Sequence, residues 1–234
     1  MNWTRKASVV NPSKHGLIAI MKCKFRFIYS ALAASVVFCA VAGRGAESAD
    51  SAVGTAPASF HFTVTSDLHD LTNIFDRVLD AMQASSGGEG AFQVSIGDVV
   101  DSAGQTPEGM RNAIDRHFGT NAVWYPVLGN HDKGAVSMNW RRTEYDTGNG
   151  RRTPLKNLVA HAGPAGTIET TYSWDYSNAH FVALNEYWDG GTAPDGDRAT
   201  DGDIAPALCH WLDADLAANT KPFVFVFGHE PAFP

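Results

Sequence analysis

The sequence predicts an α/β fold over residues 60–234, and three observations support this prediction. Strand-like and helical segments alternate between residues 60 and 128. Polar residues follow each of these predicted strands directly. A fully apolar segment of strand length also lies near the end of the chain, at 223–227. Alternating strands and helices are typical of a parallel sheet covered by helices, and such sheets collect ligand-binding groups beyond the carboxyl ends of their strands.

Five elements are predicted in the first half of this domain. Residues 60–65 alternate between apolar and polar side chains, which is the period of a strand with one buried face. A helix that begins near Pro107 is favoured because proline is common in the first helical turn. In chain order the predicted elements are a strand at 60–65, a helix at 71–84, a strand at 92–96, a helix at 107–118 and a strand at 123–128.

The second half is predicted to begin with a long polar excursion over the site, at 133–171. Two strand-like segments, 171–176 and 180–184, then predict a hairpin. Residues 206–219 carry apolar side chains on one helical face, and 223–227 predict a buried strand. The second half therefore adds further strands and one more helix to the domain.

Residues 1–42 predict a secretory signal peptide. They contain six basic residues and no acidic ones. From Met21 a short basic stretch leads into the uncharged segment 27–42, which ends on the small-residue triplet 40–42. A basic region, an apolar region and a small-residue cleavage site in this order are typical of a signal peptide. We expect translation to start at Met21, with residues 1–20 as an upstream extension, and the protein to be exported to the periplasm or the extracellular space.

A membrane anchor is the alternative reading of this segment. The uncharged run 27–42 is shorter than the ~20 apolar residues that a spanning helix needs, so we expect no stable membrane anchor. Residues 43–59, rich in Ala, Ser and Gly, predict a disordered linker behind the cleavage site. The folded domain is then expected to occupy 60–234, and its oligomeric state is left open.

The charge of the chain limits the kinds of partner that it can bind. The chain has 18 Lys and Arg against 25 Asp and Glu, a net charge of −7, and without residues 1–42 it would have 12 against 25, or −13. Such a surface repels a phosphate backbone at long range, so we expect no nucleic-acid polymer as partner.

Cys209 is the one cysteine after residue 42, which excludes an intramolecular disulfide in the exported chain. Its place in an amphipathic segment predicts a core position.

Side chains that can bind metal ions follow four of the predicted strands. Asp67 and His69 follow the first, Asp98 the second, Asn130 the third and His229 the last. A Gly-Asp pair after an apolar run is usually only a turn, but the four groups together offer carboxylate, imidazole and amide ligands. This donor set, which has no thiolate, suits divalent ions such as Mn, Fe, Zn or Ni.

Asp98 is predicted to bridge two such ions. Gly97 allows a tight turn, so Asp98 is the first side chain able to leave the sheet edge, and each of its oxygens can bind one metal. Two metals about 3.5–4 Å apart activate water for attack on phosphorus. His131 is placed to protonate the leaving oxygen, with Asp101 or Asp132 to orient it.

Four motifs in this order resemble the calcineurin-like metallophosphoesterase superfamily: Asp-x-His at 67–69, Gly-Asp-x-x-Asp at 97–101, Gly-Asn-His-Asp at 129–132 and Gly-His at 228–229. The resemblance implies a four-layer αββα sandwich of two mixed β-sheets flanked by helices. It also implies hydrolysis of a small phosphorylated substrate, a mono- or diester. The implied roles are Asp67, His69 and Asp98 around one metal, Asp98, Asn130 and His229 around the other, and His131 as general acid paired with Asp101.

The superfamily completes its site with a final Gly-His-x-His, and no such motif follows Gly228 and His229 in this sequence. We therefore expect the reading frame to continue past Pro234 and the domain to be incomplete at its carboxyl end. The last strand, 223–227, would then form an open apolar edge. An incomplete, inactive fragment is the alternative, as is an exported protein that binds metal or another ligand without catalysis.

Overall fold

The computed structural model describes most of the chain from residue 59 onwards and two short segments before it. The described residues are 18–21, 37–40, 59–191, 202 and 204–230. They form nine β-strands and four α-helices. Most of the predicted linker, 43–58, lies outside the described residues.

The predicted elements from 60 to 128 and from 171 to 227 are confirmed, with bounds that agree within one residue at each end. The strands are β1 (Ile18–Met21), β2 (Val37–Ala40), β3 (His61–Thr65), β4 (Gln93–Ile96), β5 (Trp124–Val127), β6 (His161–Ala162), β7 (Tyr172–Tyr176), β8 (Ala179–Ala183) and β9 (Phe223–Phe227). The helices are α1 (Thr72–Ala84), α2 (Glu108–Phe118), α3 (Ala135–Thr147) and α4 (Pro206–Ala218).

The strands form two mixed sheets. In the first sheet the order is β2-β3-β4-β5, with β3, β4 and β5 parallel and β2 antiparallel at the edge. In the second the order is β1-β9-β8-β7-β6, with β1, β9 and β8 parallel and β7 and β6 antiparallel to their neighbours. Because β3, β4 and β5 are parallel, the loops that follow them meet at one edge of the first sheet.

The two sheets and the helices stack in four layers. The sheets face each other through aromatic side chains, and the ring centroids of Phe62 on β3 and Phe181 on β8 are 5.2 Å apart. Helices α1 and α2 cover the outer face of the first sheet with buried residues such as Leu79 and Ile114. Helix α4 covers the outer face of the second sheet through Leu208. Burial of each such side chain contributes about 1.5–3 kcal/mol. The predicted αββα sandwich is confirmed.

Two expectations about the second half are wrong. Helix α3 lies inside 133–171, where the sequence predicts a polar excursion. Its buried face includes the polar residues Ser137, Arg141 and Glu144, so it lacks the apolar period by which a helix is predicted. Cys209 is exposed on α4 rather than in the core, because its neighbour Leu208 points into the protein instead.

The segments β1 and β2 fall within the predicted signal peptide. Strand β1 pairs in parallel with β9, with Met21 opposite Phe227, and β2 pairs antiparallel with β3. The expectation that 223–227 is an open edge is therefore wrong for the chain that retains β1. Signal-peptide cleavage itself stays a prediction. No helix in the described part of the chain has the length and apolar character to cross a bilayer.

Candidate active site

The loops after β3 and β4 are joined by backbone hydrogen bonds beyond the ends of the strands. The Asp67 amide donates to the Gly97 carbonyl at 3.2 Å, and the His69 amide donates to the Asp98 carbonyl at 2.9 Å. These bonds continue the pairing of the two strands into the region where polar side chains begin. They fix the relative positions of Asp67, His69 and Asp98 through the main chain.

The same three residues have a left-handed backbone conformation: Asp67 (φ 54°), His69 (φ 47°) and Asp98 (φ 50°). For a residue with a Cβ atom this region costs ~1–2 kcal/mol. It persists where the surrounding structure holds it, and such residues cluster at functional sites. Both loops therefore turn sharply as soon as they leave the first sheet.

Two glycines allow the loops to approach each other. Gly97 has a φ of 72°, and a Cβ atom there would overlap the His229 ring. A Cβ atom on Gly129 would overlap the amide nitrogen and the carboxylate of Asp98. Close packing therefore requires a glycine at both positions, and at Gly97 the positive φ favours glycine as well.

Asp98 belongs to two groups of potential metal ligands. One group contains His69 and His131 with Asp98, and the other contains Asp67 and His229 with Asp98. Within each group the donor atoms lie within 4.8 Å of one another. A single carboxylate is therefore shared between two adjacent clusters of oxygen and nitrogen donors.

The Asn130 amide adjoins the second group, since its Oδ1 atom lies 3.1 Å from Nε2 of His229. The grouping differs from the one implied by the resemblance. Asp67 groups with His229, although its Oδ1 atom is also 3.9 Å from Nε2 of His69. His131, expected as the acid, groups with His69. The structure thus brings the five predicted ligands to one place and adds His131 to the set.

The charges of Asp98 and His229 stabilise each other. Burial by itself would raise the pKa of Asp98. The hydrogen bond and charge of His229 outweigh this effect, together with the hydrogen bond from the His131 amide, and hold the pKa of Asp98 below its ordinary value. Burial also opposes the charge on His229, but the contact with Asp98 raises the pKa of His229 to about 9. The Nε2 atom of His229 lies 3.3 Å from Oδ2 of Asp98. A metal bound at that nitrogen would replace the proton.

The orientation of His229 is set by a second hydrogen bond. Its Nδ1 atom donates to the Ile96 carbonyl at 3.0 Å. This bond leaves Nε2 facing Asp98 and Asn130. A histidine whose other ring nitrogen is held in this way is typical of a metal ligand.

His131 is held at both its main chain and its side chain. Its amide donates to Oδ1 of Asp98 at 2.9 Å, and its Nδ1 atom donates to the carbonyl oxygen of Asp101 at 2.6 Å. The Asp101 carboxylate, 69% exposed, instead lies near His69, with 3.4 Å between Oδ1 and Nδ1. The contact between Asp101 and His131 is thus made by the Asp101 backbone carbonyl, whereas the resemblance implies its side chain.

The carboxylate of Asp132 is bound by backbone amides and by an arginine. Its carboxylate is fully buried and accepts hydrogen bonds from the amides of Val99 (2.9 Å), Val100 (3.0 Å) and Gly129 (2.9 Å). Its remaining partner is Arg141 of α3, at 2.9 Å. These contacts tie the loop after β4 to the loop after β5. The carboxylate is thus directed at backbone amides and at Arg141, which departs from the expected role of orienting His131.

A further polar segment, missed by sequence reasoning, adjoins His229. Asn185, Glu186 and Tyr187 follow β8 after a single residue, Leu184. The Tyr187 hydroxyl donates to the Glu230 carboxylate, and the Glu230 amide donates to the Glu186 carboxylate at 2.7 Å. The signal was polar residues directly after a buried strand, as at the other strand ends. None of the four family motifs lies in this segment, since none of them follows β8.

The donor set fits divalent metal ions. Two groups share one buried carboxylate, and the donors are carboxylate oxygen and imidazole nitrogen with an amide oxygen beside them. Ligands of this kind suit Mn, Fe, Zn or Ni rather than a structural zinc, which prefers thiolates.

Comparison with known families agrees with this geometry. The family model described as calcineurin-like phosphoesterase matches residues 60–233. A search of curated proteins finds no match. The matched region includes both sheets from β3 onwards, the helices and all four polar strand ends. The chain therefore belongs to the calcineurin-like phosphoesterase family, which implies metal-dependent hydrolysis of phosphate esters.

Proposed function

We propose that this protein hydrolyses a small phosphate ester with two divalent metal ions that share Asp98, and that His131 donates the proton to the leaving group. The observation that carries the proposal is the shared position of Asp98 in two clusters of donor atoms. A shared carboxylate holds two cations close enough to act on one phosphoryl group.

The residues that would hold the ions are Asp67, His69, Asp98, Asn130 and His229. Bound there, the ions would lower the pKa of water towards about 7 and neutralise negative charge on the phosphoryl group. The left-handed backbone at the strand ends and the hydrogen bond from His229 to Ile96 keep the ligands in place before binding. Such preorganisation reduces the cost of ordering the site when ions bind.

His131 is suited to proton donation by its surroundings. The Asp101 carbonyl accepts from Nδ1, so this nitrogen carries a proton in every charge state. In the imidazolium form Nε2 carries a second proton, which can pass to the leaving oxygen.

The substrate is a small molecule in this proposal. The chain carries a net charge of −7, which disfavours approach of a nucleic-acid polymer. The site lies at the strand ends, and the side chains of His69 and Asp67 are 21% and 30% exposed, so a small phosphorylated molecule can reach them.

The test is hydrolysis of p-nitrophenyl phosphate by the protein expressed from its complete gene. We expect hydrolysis that is abolished by a chelator and restored by adding back Mn²⁺, Zn²⁺, Fe²⁺ or Ni²⁺. Hydrolysis that survives full metal removal would contradict the metal-based mechanism. Full metal loading without hydrolysis of any phosphate ester would contradict the proposed hydrolysis and indicate a metal-binding protein instead.

A further inference from the structure

Lys133 places an ammonium group over the Tyr187 ring, which neighbours His229 of the candidate metal site. It follows Asp132 directly, in the loop after β5. Its Nζ atom lies 4.8 Å from the centroid of the Tyr187 ring, which is within cation–π range. The Tyr187 ring in turn lies 6.2 Å from the His229 ring, centroid to centroid. Both the ammonium group and a predicted metal ligand therefore neighbour the same aromatic ring.

The ring that supports Lys133 is rigidly held. Tyr187 is fully buried, and its hydroxyl donates to the Glu230 carboxylate. The carboxylate of Glu186 accepts from the Glu230 amide. Both carboxylates of this region therefore have hydrogen-bond donors of their own, and the Lys133 ammonium lies over the ring instead of on either of them.

Lys133 forms no ion pair with any other residue that the structure describes. Most basic side chains among the described residues have a carboxylate partner. The two exceptions are Lys133 and Arg77, which is exposed on α1. The paired ones are Arg111, Arg116, Arg141, Arg142, Arg151, Arg152, Lys156 and Lys221. An unpaired ammonium group beside an acidic site is available to the negative charge of a ligand.

We infer that Lys133 binds the phosphate group of the substrate and that the protein prefers phosphate monoesters to diesters. The inference rests on the proposed function and adds the substrate class. A monoester phosphate carries close to two negative charges near neutral pH, whereas a diester carries one. The Coulomb attraction to one ammonium group is proportional to that charge, so Lys133 favours the monoester.

The test compares Lys133→Gln and Lys133→Arg with the wild-type, metal-loaded protein. For p-nitrophenyl phosphate, Lys133→Gln should raise KM about tenfold, the effect of losing one charge-assisted contact. For bis-p-nitrophenyl phosphate the rise should be smaller, so the monoester preference in kcat/KM falls severalfold. Lys133→Arg, which keeps the charge, should restore the preference. Arg77→Gln removes a distant cation and should leave both substrates unaffected.

A binding measurement separates this inference from the proposed function. Calorimetric titration of the metal-loaded protein with inorganic phosphate should show weaker binding by Lys133→Gln, with a dissociation constant about tenfold larger than that of the wild type. Equal phosphate affinity in wild type and Lys133→Gln would overturn the inference whether or not the protein turns over esters. A loss of bound metal in Lys133→Gln would also overturn it, since Lys133 would then support the ligands. Failure of the wild type to hydrolyse any ester would overturn the proposed function and with it the substrate preference.

Discussion

Asp98 carries its negative charge inside the protein before any metal binds. Its carboxylate is 4% exposed, and burial by itself favours the protonated form. The His229 ring and the His131 amide reverse this preference and keep the pKa of Asp98 below its ordinary value. The carboxylate can therefore accept a cation without losing a proton, whereas His229, with a pKa of about 9, must release one.

The role of His131 is tested by His131→Gln. If His131 is the general acid, bound metal should stay near the wild-type amount while kcat falls by ~10²–10⁴-fold. The fall should be largest for esters with poor leaving groups, because these depend most on proton donation. Metal analysis and kcat for a series of aryl phosphates measure both effects.

The control for this prediction is His210→Gln, which changes an exposed histidine of α4 outside the site. It should alter neither metal content nor rate. An empty site in His131→Gln would show that His131 is a ligand, as its grouping with His69 and Asp98 also allows.

The candidate ligands could be predicted from the sequence because each one follows an apolar strand and a tight turn. Asp98 after Gly97 and Asn130 after Gly129 are the clearest cases. The position of Asp132 could not be predicted, because nothing in the sequence indicates which backbone amides a buried carboxylate will accept from. The left-handed backbone of Asp67 could not be predicted either, since it depends on a hydrogen bond to another loop.

At the scale of elements, the Asp132–Arg141 pair joins α3 to the two loops of the site. Both side chains are buried, and Asp132 also accepts three backbone hydrogen bonds. Removing one member of such a pair leaves a buried charge without compensation. Asp132→Asn should therefore lower the free energy of unfolding by about 3–5 kcal/mol, measured by urea denaturation.

The same chemical change at an exposed pair is the control. Asp146 pairs with Lys156 at 3.3 Å, with both side chains largely in solvent. Asp146→Asn should change the free energy of unfolding by less than ~1 kcal/mol. Equal effects of the two substitutions would contradict the structural role of Asp132.

A second network, centred on the buried residues Asp215 and His180, links the second sheet to α4 and should make stability depend on pH. His180 of β8 donates to Asp215 of α4 (2.8 Å) and contacts Asp175 (2.7 Å), while Ser173 and His161 also donate to Asp215. Burial opposes the charge on both partners, but these contacts raise the pKa of His180 and lower that of Asp215.

The sign of each shift defines the pH window. The raised pKa of His180 stabilises the fold below its ordinary value of 6.5, and this contribution is lost as pH rises through the folded pKa. The lowered pKa of Asp215 stabilises the fold above 3.8, and this contribution is lost as pH falls. His180→Gln should therefore destabilise the protein most between about pH 4 and 6.5, by roughly 1.5–3 kcal/mol. Urea denaturation across pH measures the difference, and a pH-independent difference would contradict it.

The elements differ in how well their sequences predict them. The strands β3 and β9 bury apolar residues in a regular period or an unbroken run, and both were predicted. Helix α3 was not, because part of its buried face consists of Arg141 and Glu144, which are satisfied by Asp132 and Arg152. A helix whose buried face is held by ion pairs has the composition of a surface loop.

At the scale of the whole molecule, residues 18–21 and 37–40 close one edge of each sheet. Export with cleavage after residue 42 would remove both β1 and β2, leaving β9 and β3 with unpaired backbone groups. Such apolar edges favour aggregation. We expect protein that begins at residue 43 to aggregate faster than the chain that begins at Met1, as measured by light scattering. Equal aggregation would show that β1 and β2 do not protect these edges.

The central claim, that one buried carboxylate joins two metal ions in a phosphoester hydrolase, is tested most directly by the metal content of Asp98→Asn. Asparagine keeps an oxygen that can accept from the His131 amide but removes the charge and one ligand oxygen. Asp80→Asn, on the exposed face of α1, is the matched control. We predict two metal ions per chain in wild type and Asp80→Asn, and loss of both the ions and the hydrolysis in folded Asp98→Asn. Full metal content and wild-type hydrolysis in Asp98→Asn would contradict the account.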